Sequence, residues 1–129
     1  MSEEPFGSPR VATDTLVFHR SAHGLSLIGG SGRGEGWSGI VDLLLEQEPL
    51  AARVHGSSRP ARVDGDEPVR VIGPYWAKHA ALVPVGGEHL VVFGGDEPLL
   101  DSDAALVPAA AHLVAEMQQV SPAKLAAST

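Results

Sequence analysis

Residues 78–96, KHAALVPVGGEHLVVFGGD, constrain the fold more than any other stretch. Two apolar arms, 80–85 and 89–93, flank Gly86 and Gly87. Paired glycines between apolar arms predict a β-hairpin, because tight hairpin turns need positive φ at one or both central residues. Neither arm alternates apolar with polar residues. A strand with one wet face alternates; a strand covered on both faces does not. The hairpin is therefore expected in the middle of a sheet with a layer on each side.

Upstream, residues 14–21 predict a strand in which Leu16 and Phe18 alternate against Thr15, Val17 and His19. Residues 25–28 predict its hairpin partner, with a turn at His23 and Gly24. GGSGRGEG at 29–36 reads as a glycine-rich loop, followed by Trp37 and by Ser38 as a helix cap. A helix is expected over 40–48, where Ile40, Val41, Leu43, Leu44 and Leu45 make a broad apolar face. Pro49 either ends it or opens a second short helical turn through Ala51 and Ala52. A turn at 56–60, an extended piece at 61–63, an acidic turn (DGDEP, 64–68) and a strand at 69–72 follow, before a break at Gly73 and Pro74.

The last helix is expected from a cap at Asp101 or Asp103 to about Gln119. Leu106, Ala110, Leu113, Val114 and Met117 share one face, and Pro108 stands in its first turns. Residues 1–13, with Pro5, Gly7 and Pro9, read as a flexible arm, 14–119 as the domain and 120–129 as a flexible tail. Hairpins towards both ends with helices between and after them predict an α+β protein: an antiparallel sheet with helices packed on it.

Composition narrows the function. At 129 residues the chain is one domain by length. Only 5 % of residues are aromatic, so Val, Leu, Ala and Ile must build the core. A formal charge of −7 argues against nucleic acid as a partner, since phosphate backbones need a basic field. The absence of Cys excludes disulfides, thiol nucleophiles and thiolate metal sites. The N-terminal MSEEPFGSPR lacks the apolar core of a signal peptide, and no apolar run is long enough to span a bilayer. The expected location is cytoplasmic, away from membranes.

Three blocks, in order, resemble a GAF domain: GRGEGWSGIVDLL (32–44), RVHGSSRPARVDGDEP (53–68) and HAALVPVGGEHLVVFGGDEPLLDSDAALV (79–107). The second departs from the family pattern by two extra residues, Ser57 and Ser58. The resemblance covers about 14–119. It implies a GAF-like, profilin-like antiparallel sheet of five or six strands with helices on both faces. It places the terminal helices on one face and any small-molecule pocket on the other, under the connecting helices and loops. It further implies a sensory role in signal transduction and homodimerisation through the terminal helices. It does not name a ligand, since GAF domains bind cyclic nucleotides, haem, bilins, metabolites or nothing.

Candidate sites follow from residue chemistry. The glycines at 29, 30, 32, 34 and 36 match neither the dinucleotide fingerprint nor the Walker pattern, so a plain loop is expected there. His19 and His23 are separated by a turn and do not share a helix face, which removes the usual zinc spacing. A haem-binding GAF domain uses an axial His, for which His79 and His55 are the first candidates; solvated imidazoles are the plainer alternative. Trp37, Tyr75 and Trp76 flank predicted loops over the sheet, either as walls of a pocket or as the lid of the core. Arg62, Arg70 and His79 are the polar groups that would meet them. The candidate ligand-binding set is Trp37, Arg62, Tyr75, Trp76 and His79.

No catalytic motif is present. Methionine sulfoxide reduction, the enzymatic activity familiar in stand-alone GAF domains, needs thiolates. No Ser stands in G-x-S-x-G, and the acidic pairs fall in turns and caps. The expected function is a non-enzymatic ligand-binding sensor. A ligand-free interaction or dimerisation module is the alternative, and a small enzyme of unknown chemistry the third reading.

Overall fold

The structure, a computed structural model, describes residues 14–22, 24–32, 37, 41–97, 99 and 102–128, with side chains of the final helix through Met117. Its elements are β1 (Asp14–Arg20), β2 (Gly24–Ser31), β3 (Asp42–Leu44), α1 (Pro49–Ser57), β4 (Ala61–Ile72), β5 (Tyr75–Val85), β6 (His89–Gly95) and α2 (Asp103–Ser128). All six strands join one antiparallel sheet in the order β3-β2-β1-β6-β5-β4.

β5 and β6 are the expected hairpin. Val85 pairs with His89, so the turn takes in Glu88 as well as Gly86 and Gly87, whose φ values are 64° and 84°. β6 lies between β1 and β5, and every one of its residues is buried. Successive strand residues point to opposite faces. Leu90 and Val92 join Leu16, Phe18 and Leu82 in one core, which α1 covers with Ala51 and Val54. Val91 and Phe93 join Val17, Ala81 and Val83 in a second core, which α2 covers with Leu106, Ala110 and Val114. Burying a Val, Leu or Phe side chain stabilises by about 1.5–3 kcal/mol, and β6 directs two such side chains into each layer.

The stripe expected on the last helix is the face that packs. Leu106, Ala110 and Val114 are buried, with Leu113 and Met117 packed beside them. Ser102 caps this helix: its Oγ accepts from the Ala105 amide at 3.3 Å and its carbonyl accepts from the Leu106 amide at 2.9 Å. Asp103, in the first turn, instead accepts from Arg62 Nε at 3.0 Å. The helix runs to Ser128, past Gln119.

Three expectations of local structure change. The helix over 40–48 does not form. Val41, Leu43 and Leu45 are half-buried while Asp42, Leu44 and Glu46 are exposed, a period of two rather than 3.6. β3 therefore pairs with β2, Leu25 opposite Leu43, and a 3₁₀ turn at Leu45–Gln47 follows. The helix begins instead at Pro49, whose fixed φ suits a first helical position. The extended piece at 61–63 and the strand at 69–72 are one strand, β4. It carries the acidic DGDEP segment across a register irregularity between Asp64 and Val69. Finally, Gly29, Gly30 and Ser31 continue β2 instead of opening a loop. Residues 33–36, the arm 1–13, Ser38 and Asp101 lie outside the described residues.

Candidate functional site

β1 stops at Arg20, and the β5–β6 turn returns beside it. The Arg20 amide donates to the Glu88 carbonyl at 2.7 Å, and the Ser21 amide to the Gly24 carbonyl at 2.9 Å. Two hairpin ends are thereby fixed side by side at one end of the sheet. α1 crosses above them. Its Ala51, Val54, His55 and the adjoining Ser58 recur at helical offsets of three, four and seven, and so share one stripe facing the sheet. Ala51 and Val54 are small side chains. A cavity of about 390 Å3 remains, lined by Arg20, Leu25, Leu45, Ala51, Val54, His55, Ser58, Pro84, Gly86, Gly87, His89 and Leu90. That is the lower part of the usual range for ligand pockets, about 300–1,000 Å3.

The walls are mostly apolar, and their polar side chains are Arg20, His55, Ser58 and His89. Arg20 Nη1 donates to His55 Nδ1. Ser58 has a left-handed backbone (φ 58°, ψ 30°) and closes α1 by donating its amide to the Val54 carbonyl at 2.8 Å. His89 is a buried imidazole set edge-on to His19, with ring centroids 5.2 Å apart. Burial, then the neighbouring His19, hold its pKa below the ordinary histidine value; Glu88 opposes them. His89 is thus kept neutral.

Of the residues expected to line a pocket, two meet. Trp37 packs edge-on against Tyr75, with ring centroids 6.5 Å apart. Tyr75 is fully buried among the residues of the α1-side core, and its hydroxyl donates to Asp14 Oδ2 at 2.9 Å. Its place is in the lid of the core. Trp76 is half exposed. Arg62 and His79 lie on the other face. Arg62 pairs across the sheet with Ala81, which belongs to the α2-side core, and His79 is two residues from Ala81 on the same strand. Arg62 reaches Asp103 and the Leu99 carbonyl at 3.4 Å, and His79 Nδ1 contacts Asp64 Oδ1 at 2.9 Å. Arg70 holds Glu48 at 3.1 Å. Of the two candidate haem ligands, His55 is on the cavity rim and His79 is on the opposite face. Arg20 and Ser58 were not singled out in sequence; the signal available was the shared end of two hairpins.

Solved structures similar to the chain include two GAF domains. One is a GAF domain/HD domain protein from Geobacter sulfurreducens, with a TM-score of 0.60, 16 % identity and 84 % of each chain covered. The other is the GAF domain of an Acinetobacter phosphoenolpyruvate-protein phosphotransferase. Its TM-score is 0.59 and its identity 14 %, over 84 % of this chain and 75 % of that one. The chain has the GAF fold. At these identities the likeness is one of fold. No protein-family model matches the sequence, and no curated protein matches it. In this GAF fold, α2 covers one face of the sheet while α1 and the cavity share the other. Among the described residues, no three His, Asp or Glu side chains gather as a metal site, and no helix is long and apolar enough to cross a membrane.

Proposed function

We propose that this GAF-like domain is a non-enzymatic, cytoplasmic sensor. It takes a small molecule into the cavity between α1 and the sheet and transmits occupancy through α2 to a second copy of the chain. The observation that carries this reading is the cavity itself: about 390 Å3, lined mostly by apolar residues with a few polar ones among them. The coupling route is short. β5 and β6 send alternate residues to the cavity side and to α2, so a shift beneath α1 reaches both layers.

A thermal-shift screen with a metabolite library tests the reading. A compound that binds only the folded chain, at about 100 times its Kd, stabilises it by about 2.7 kcal/mol. Ala51→Phe fills the cavity from α1 and is expected to abolish that shift while leaving the far-ultraviolet spectrum unchanged. Recovery of the compound unaltered is the expected result for a sensor. Chemical conversion of it would argue for an enzyme. Light scattering is expected to give the mass of a dimer; a dimer with no stabilising compound would favour a ligand-free interaction module.

A further inference from the structure

We infer that the cavity takes a monoanion: a small molecule with a carboxylate at one end and an apolar body at the other. This rests on reading the cavity as the ligand site and specifies what enters it. Among the described residues that line the cavity, Arg20 is the one with a formal charge, and none is Asp or Glu. That is notable in a chain with 16 acidic and nine basic residues. Elsewhere on the sheet the arginines find carboxylates: Arg62 pairs with Asp103 and Arg70 with Glu48. Arg20 does not. Its guanidinium contacts an imidazole nitrogen, which carries no compensating charge.

A guanidinium presents five N–H donors in a planar fork that matches a carboxylate bidentately. The contact to His55 uses one of these and orients the group. Ser58, which also lines the cavity, carries a hydroxyl. Gly86 and Gly87 line the cavity, and a side chain added at either would meet nothing within 4 Å. Among the other lining residues, Leu25, Leu45, Val54, Pro84 and Leu90 offer only apolar surface to the rest of the ligand.

Charge count selects a carboxylate over a phosphate dianion. One guanidinium balances one negative charge. α1 lines the cavity from Ala51 in its first turn to the capping Ser58, and the C-terminal end of its dipole weighs against a second negative charge. The net charge of −7 adds a further penalty for a second negative charge.

The test is calorimetric titration with two acids, hexanoate and benzoate, against their neutral amides, hexanamide and benzamide, with phenyl phosphate as a dianion. The acids are expected to bind about ten-fold or more tighter than the amides, the scale of a charge-assisted hydrogen bond. Phenyl phosphate is expected to bind more weakly than benzoate. Arg20→Met, which keeps the apolar stem, is expected to erase the preference for acids while leaving amide binding and the fold intact; Arg20→Lys retains part of it. Amides binding as tightly as acids, a preference that survives Arg20→Met, or tighter phenyl phosphate would each overturn the inference. If none of these probes binds while the metabolite screen finds a neutral ligand blocked by Ala51→Phe, the anion assignment falls and the sensor reading stands. If both experiments are silent, both fall.

Discussion

The phenolic oxygen of Tyr75 occupies the space that a β-carbon on Gly94 would need: such a carbon would lie 2.3 Å from it. The hydroxyl also donates to the buried carboxylate of Asp14 at 2.9 Å, tying β5 to the start of β1 across β6. Gly94→Ala is expected to cost about 1–3 kcal/mol through overpacking. Tyr75→Phe is expected to cost about 1–3 kcal/mol by withdrawing a donor from a buried acceptor. Because the two residues touch, the double variant should lose less than the sum of the two. Urea denaturation midpoints at unchanged slope measure all three.

The two cores make a separate prediction. Leu82 and Leu106 are both fully buried, on opposite faces of the sheet. Leu82→Ala and Leu106→Ala should each destabilise by about 2–5 kcal/mol. The two clusters share no member, so the double variant should lose the sum to within about 0.5 kcal/mol. A markedly smaller loss in the pair, measured by denaturation, would show that the sheet does not divide the layers.

Glu48 joins the start of α1 to the β4–β5 turn. Its nearly buried carboxylate accepts from Arg70 Nη1 at 3.1 Å and from the Gly73 amide at 3.0 Å. Glu48→Gln should weaken the fold by about 1.5–3 kcal/mol, the range for hydrogen bonds to a charged group. It should also speed hydrogen exchange at the Gly73 amide. Unchanged exchange there would refute the assigned role.

His89 gives a pH dependence of definite sign. Burial and His19 lower its pKa in the folded chain, with Glu88 opposing. The unfolded chain therefore takes up the proton more readily. This contribution to stability is fully present above the unfolded value, near 6.5, and is lost as pH falls towards the lower folded value. Melting temperatures taken between about pH 8 and about pH 5.5 should fall at the acid end. His89→Gln should flatten that fall.

Strand pattern was legible in this sequence where burial is complete. The unbroken run Leu90, Val91, Val92, Phe93 announced a strand with two covered faces, and β6 has them. The stripe on α2 was equally plain, because one partner surface imposes one periodicity. The segment at 40–48 misled because Leu43, Leu44 and Leu45 satisfy a helical face as well as an alternating one. Pairing with β2 decided between them, and short-range pattern does not encode that partner. DGDEP carries turn residues and has no ladder pair between Asp64 and Val69, yet the pairs with β5 on either side of it join the two pieces into one strand. The cavity was out of reach for a similar reason. Arg20 and His55 are 35 residues apart, one at a strand end and one on a helix that begins only at Pro49. The aromatic residues drew attention because ring size is visible in sequence, whereas the emptiness left by Ala51 and Val54 is not.

β4 is a twelve-residue strand on one margin of the sheet, while β3 on the other margin has only three residues. Along β4, Asp64, Asp66 and Glu67 are exposed, Pro68 has no amide hydrogen to give, and the ladder slips register. A strand from a neighbouring molecule arriving there meets like charge, a missing donor and no continuous template. The apolar segment HLVVF is held between β1 and β5, and the β4 flank of the sheet makes a poor seed for cross-β growth.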